Sequence, residues 1–139
     1  MNAVRNQDKP LKDKDNRWEI MSKHYVDKLT DLISTLDFGD ELGAELTVKH
    51  YFNGAAVYAD ETICASWSPV GLAFKLPTAE VAELIASGQA KPLKYFAKGR
   101  IKKGYALFDD PQSKQKPALK AHFLKAANQA TSTRVENSA

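Results

Sequence analysis

One cysteine, Cys64, is all that the 139-residue chain carries. An intramolecular disulfide is therefore excluded, and so is a zinc site built on cysteines. This usage fits a reducing compartment. No apolar run approaches the length that spans a bilayer. Residues 1–17 are polar and charged and lack the apolar stretch of a secretion signal. The expectation is a cytoplasmic protein with no membrane contact.

Chemistry is equally sparse. The three histidines, His24, His50 and His122, are far apart and show no His-x-x-x-His spacing, so no metal is expected. Cys64 could serve as a nucleophile only beside a base, and His50 lies on the same run of strands; a buried packing role is the alternative. No glycine-rich phosphate loop is present, and Lys98-Gly99-Arg100 reads as a basic turn. The paired acids Asp60-Glu61 and Asp109-Asp110 fall at element boundaries, where they cap or turn the chain. The expectation is a protein without catalytic residues or cofactor. No internal repeat is visible.

What the chain has is a clear alternation of patterns. Residues 1–16 hold few large aliphatics and read as a disordered tail. From 17 to 130 the sequence reads as a single domain, and 131–139 as a frayed end. Asp15 or Asn16 can cap a first helix, whose stripe is Trp18, Met21, Tyr25, Leu29, Leu32, Ile33 and Leu36. Gly39 and Gly43 punctuate its end. Leu46, Val48, His50 and Phe52 then alternate with polar neighbours, the period of a strand. Asn53-Gly54 is a hairpin dipeptide because both residues tolerate positive φ. Strands follow at 55–59, at 62–67 with Ile63, Ala65 and Trp67 on one face, and at 72–76. Connections this short force antiparallel neighbours.

A second helix has Thr78 as N-cap, Gly88 as C-cap and a stripe of Val81, Leu84 and Ile85. An extended piece follows Pro92. A last strand runs from Ile101 to Phe108, and a final helix starts near Lys116, with Pro117 in its first turn. The fold class is thus α+β: an antiparallel meander of four strands, plus one or two further strands, flanked by N-terminal, middle and C-terminal helices.

Charge is unevenly placed. Residues 1–63 hold 8 basic and 12 acidic residues, whereas 91–125 hold 10 basic and 2 acidic. Such asymmetry marks either an anion-binding surface or a solvated lysine-rich face. The candidate binding residues are Lys91, Lys94, Lys98, Arg100, Lys102 and Lys103, interleaved with Tyr95, Phe96 and Tyr105. Cations can neutralise phosphates and exposed aromatics can stack on bases; the same aromatics could instead belong to the core.

The stretch from Lys49 to Tyr58, Lys-His-Tyr-Phe-Asn-Gly-Ala-Ala-Val-Tyr, resembles the Arg-Arg-Met-Phe-Gly-Gly-x-Gly-Leu-Tyr signature of TfoX N-terminal domains, found in the TfoX/Sxy regulators of bacterial competence. Ile63-Cys64-Ala65 is similar to that family's Phe-Ala strand, and Gly71-Leu72-Ala73-Phe74-Lys75 to its Leu-Tyr-Leu-Lys strand. Lys91-Pro92-Leu93-Lys94-Tyr95 is similar to its Pro-Phe-x-Tyr segment, and Gly104-Tyr105 with Pro111 to its later Tyr and Pro. The resemblance is collinear over about 26–127. It departs at Asn53, where the family has Gly, and at Lys49-His50, where it has Arg-Arg. The family's helix-hairpin-helix second half is not in this sequence. The resemblance implies an antiparallel sheet flanked by helices, and a regulatory binding module that acts through a protein partner. Direct nucleic-acid binding through 91–125 is the alternative, and a small-ligand binder or enzyme is a third reading.

Overall fold

The computed structural model describes residues 17–94, 98–111 and 114–138. The tail and helix cap expected within 1–16, and Tyr95 and Phe96, lie outside them. The elements are α1 (Arg17–Leu36), a single 3₁₀ turn (Gly39–Glu41), β1 (Leu46–Tyr51), β2 (Gly54–Ala59), β3 (Thr62–Ser68), β4 (Gly71–Lys75), α2 (Thr78–Ala86), β5 (Lys91–Leu93), β6 (Lys102–Phe108) and α3 (Lys116–Ser138). The fold is α+β, as expected. One antiparallel sheet has the order β1-β2-β3-β4-β6-β5. The first four strands are the meander, and β6 then pairs with β4 to place β5 at the far edge.

The main core lies between the sheet and helices α1 and α3. Phe74 and Phe123 meet edge to face at 4.8 Å, fully buried, with Leu29 and Leu72 in the same cluster. Burial of side chains this size contributes about 1.5–3 kcal/mol each. Along α3, Leu119, Phe123, Ala126 and Ala127 form the buried stripe. Ala73, Leu93, Tyr105 and Leu107 form a second, smaller buried cluster. Strand alternation sends Ala106 and Phe108 of β6 into the main core and Tyr105 and Leu107 away from it.

Several local expectations are corrected. On α1, Met21 is 41% exposed while Ser22 is fully buried. Over residues 20–36 the buried positions are Ser22, Leu29 and Leu36, with half-buried positions between them, so a polar residue interrupts the apolar spacing. The helix ends at Asp37, which adopts φ 50° and donates its N–H to the Ile33 carbonyl; neither Gly39 nor Gly43 makes the stop. In α2, Pro77 rather than Thr78 is the cap residue, and its carbonyl accepts the Val81 N–H at 3.0 Å. Gly88 does terminate that helix. At φ 81°, it donates to Ile85, and Gln89 donates to Leu84, the paired bonds of a Schellman motif.

The first hairpin turns on Phe52-Asn53, because Tyr51 pairs with Gly54. Phe52 takes the positive φ, at 53°. Gly54 is needed for another reason: a Cβ there would stand 2.3 Å from the Trp67 carbonyl oxygen. In β3 a bulge makes Val57 face Ala65 but Tyr58 face Ile63. Cys64 is the extra residue and packs in the main core beside Ala65 and Trp67, which breaks the simple alternation assigned to Ile63, Ala65 and Trp67. The last helix runs to Ser138, beyond the end expected at 130. No Gly or Pro lies in 131–138 to stop it.

Candidate functional site

The basic stretch comes apart in three dimensions. Lys91, Lys94, Lys98, Arg100, Lys102 and Lys103 are all exposed on the β5–β6 hairpin at one edge of the sheet. Residues 91–103 contain these six cations and no acid. Their clustering follows from pairing: Leu93 faces Lys102 and Lys91 faces Leu107. Lys91 is engaged, since its ammonium bonds the Asp109 carboxylate at 2.5 Å. That hydrogen bond and charge hold the Asp109 carboxyl below its ordinary range. Among the described residues, the other five cations make no ion pair.

The cations further along the chain do not join them. Lys120 pairs with Glu41 at 2.6 Å, and Lys125 pairs with Glu80 at 2.9 Å, both in the helical layer. Lys114 lies over the Phe108 ring. Of the cations expected over 91–125, Lys120 and Lys125 are thus matched by acids of the helical layer, and the acid-free group is the one on the hairpin. Its aromatic part is corrected as well. Tyr105 is buried in the second cluster and cannot stack on a base. Among the described residues, the large apolar side chain exposed on the hairpin is Ile101, at 55%, between Arg100 and Lys102. Ile101, expected to open the last strand, lies just before β6, and its place between two cations is the signal that marks it in the sequence.

A serine and a histidine meet where no motif announced them. Ser22 Oγ lies 2.6 Å from His50 Nδ1 and 2.5 Å from the Gly54 carbonyl oxygen. The carbonyl can only accept, so the hydroxyl proton goes to Gly54. His50 Nδ1 must then carry a proton and donate to Ser22 Oγ. A nitrogen that donates cannot take the serine proton, and Ser22 is fully buried. The pair fastens α1 to the first hairpin and is no nucleophile–base dyad.

Cys64 is likewise closed to chemistry. It is fully buried, and burial pushes its thiol up to about 12. Among the described residues no hydrogen bond joins it to His50, whose Nδ1 is bonded to Ser22.

His122 stacks on Phe108 with ring centroids 5.0 Å apart and lies 5.4 Å from Phe74. It borders an open recess of about 640 Å³ between α2 and α3, which Glu80, Glu83 and Lys125 also line. Its Nδ1 is buried without a partner among the described residues. Desolvation lowers its pKa; Glu80 opposes that, and Lys125 and Lys114 add to it. The imidazole is thus kept neutral beside an ion pair that is already internally satisfied.

A second recess, of about 570 Å³, is lined by Ile20, Met21, His24, Tyr25 and Pro69 and is almost wholly apolar. Among the described residues, no group of three or more His, Cys, Asp or Glu side chains could hold a metal. No helix among them is long and apolar enough to cross a membrane. Comparison with protein-family models, with curated proteins and with solved structures found no match.

Proposed function

We propose that this chain is a non-enzymatic regulatory binding module, similar to the N-terminal domain of TfoX/Sxy regulators, and that it engages an acidic protein partner through the β5–β6 hairpin. The supporting observation is Ile101, 55% exposed and flanked along the chain by Arg100 and Lys102, with no acid in 91–103. An apolar anchor within a polar, charged rim is the anatomy of a protein interface. Lys91 and Pro92 on a three-residue edge strand, with Lys94 just beyond it, discourage strand addition there. The partner is therefore met by side chains, and the charges steer its approach.

The test is affinity capture from the protein's own cells, followed by binding measurements with the purified partner. Ile101→Asp is expected to weaken binding by tenfold or more at any salt, as loss of a central anchor does. Lys102→Glu with Lys103→Glu is expected to slow association, most strongly at low salt. A partner that binds both variants as well as the parent refutes the proposal.

The same acid-free run of cations supports a second reading, contact with nucleic-acid phosphates. That reading requires affinity for a DNA or RNA duplex that falls steeply with salt. It also requires Ile101→Asp to matter no more than one lost charge. Absence of duplex binding at low salt would remove it.

A further inference from the structure

The two edges of the sheet are built differently. β5 has three residues, a proline and flanking lysines. β1 has six residues, Leu46-Thr47-Val48-Lys49-His50-Tyr51, with no proline and no bulge against β2. A strand of this length, with no proline and no bulge and with one lysine, is open to pairing along the side that no strand covers among the described residues.

The polarity of that free side follows from the hairpin. Tyr51 and Gly54 close a two-residue turn, so they exchange both backbone bonds, and Lys49 and Thr47 also turn their N–H and C=O groups toward β2. Glu45 continues the series: its carbonyl accepts the Asp60 N–H at 3.0 Å, and its N–H donates to the Asp60 carboxylate at 2.9 Å. Leu46, Val48 and His50 therefore point their backbone groups outward. Side chains alternate in the other sense: Leu46 and Val48 pack on the main core, so Glu45, Thr47 and Lys49 fall on the opposite face. On that face a recess of about 370 Å³ is lined by Glu45, Thr47, Asp60 and Glu61.

We propose that this edge pairs with a second copy of the chain, β1 against β1, antiparallel about a two-fold axis through Thr47. In this register Leu46 faces Val48 of the second copy, and each such pair can exchange both of its outward backbone bonds. Glu45 faces Lys49 of the second copy in a non-hydrogen-bonded pair, where side chains approach most closely. The lysine enters the acidic recess, and the symmetry repeats the contact. A shift of one residue would set apolar side chains against the polar face. Centring on Val48 instead would place Lys49 opposite Thr47 rather than opposite the Glu45 carboxylate. The paired segment is short beside the ~1,200 Å² of a stable interface, so the dimer forms at high protein concentration.

Sedimentation velocity on the full chain, up to about 1 mM, reads the equilibrium on the scale of the weakest specific associations. The parent is expected to shift from monomer to dimer. Glu45→Lys and Lys49→Glu each set like charges opposite one another at both symmetric contacts and are expected to weaken the dimer by roughly tenfold or more. An equimolar mixture of the two variants is expected to form a heterodimer, because each then supplies the charge the other needs. Circular dichroism serves as the folding control. A parent that stays monomeric at the highest concentration overturns the proposal. So does a dimer indifferent to either swap, or one that mixing does not restore.

Discussion

Gly54 offers the sharpest test of how this fold is held together. A Cβ built on Gly54 would lie 2.3 Å from the Trp67 carbonyl oxygen, 2.8 Å from Ser68 Cα and 2.8 Å from Ser68 Cβ. Ordinary contacts begin near 3.4 Å, so the backbone of β3 would have to retreat by about an ångström. Two of the three obstructing atoms are backbone, which no rotamer change can move. Trp67 belongs to the main core, and Gly54 also accepts the Ser22 hydroxyl, so a shift on either side disturbs well-packed groups. Gly54→Ala should therefore fall at the upper end of overpacking penalties, about 3 kcal/mol. For a chain of this size that corresponds to a fall in Tm of roughly 10 °C. Gly54→Asn discriminates the causes. Were Gly54 needed for positive φ at a turn, Asn would be mild; because it is needed for close approach, Asn should be at least as damaging as Ala. Gly43→Ala is the control: no atom lies within 4 Å of its Cβ position, and Tm should hold or rise slightly. Thermal unfolding followed by circular dichroism gives all four values. A Gly54→Ala protein within about 2 °C of the parent, or an Asn variant clearly milder than Ala, would refute the reasoning.

Two further outcomes follow from buried titratable groups. The pKa of His122 is lowered in the fold, so between that value and 6.5 the unfolded chain binds more protons than the native one. Stability should accordingly rise with pH through this window and level off above it; urea midpoints from pH 5 to 8 measure the slope, and His122→Phe should flatten it relative to the parent. Cys64 should resist iodoacetamide in the native protein and react fully in urea, since burial both shields the thiol and keeps it protonated; mass spectrometry at neutral pH reads the difference, and rapid native labelling would contradict the placement of Cys64 in the core.

Local rules account for much of what the sequence alone revealed. Period-two alternation and short connections were enough to specify the four-strand meander, because neighbours joined by two residues have no alternative to antiparallel pairing. Pro117 located the first turn of α3, and Gly88 located the end of α2. The cations of 91–103 were also legible, as a composition.

What the tertiary structure decided are relations between distant residues. It put Ser22 beside His50 and Gly54, residues 28 and 32 positions away, and the hydrogen-bond donors there turn an apparent dyad into a clasp. It shifted the face of β3 by one bulge, and so buried Cys64. It separated Lys120 and Lys125 from the hairpin by pairing them with Glu41 and Glu80, acids far away in sequence. It also buried Tyr105 while leaving Ile101 in water. Each of these depends on which element packs against which. Side-chain periodicity reports how a segment divides its own faces, but the partner that covers a face, or completes a charge, is chosen only when the chain closes on itself.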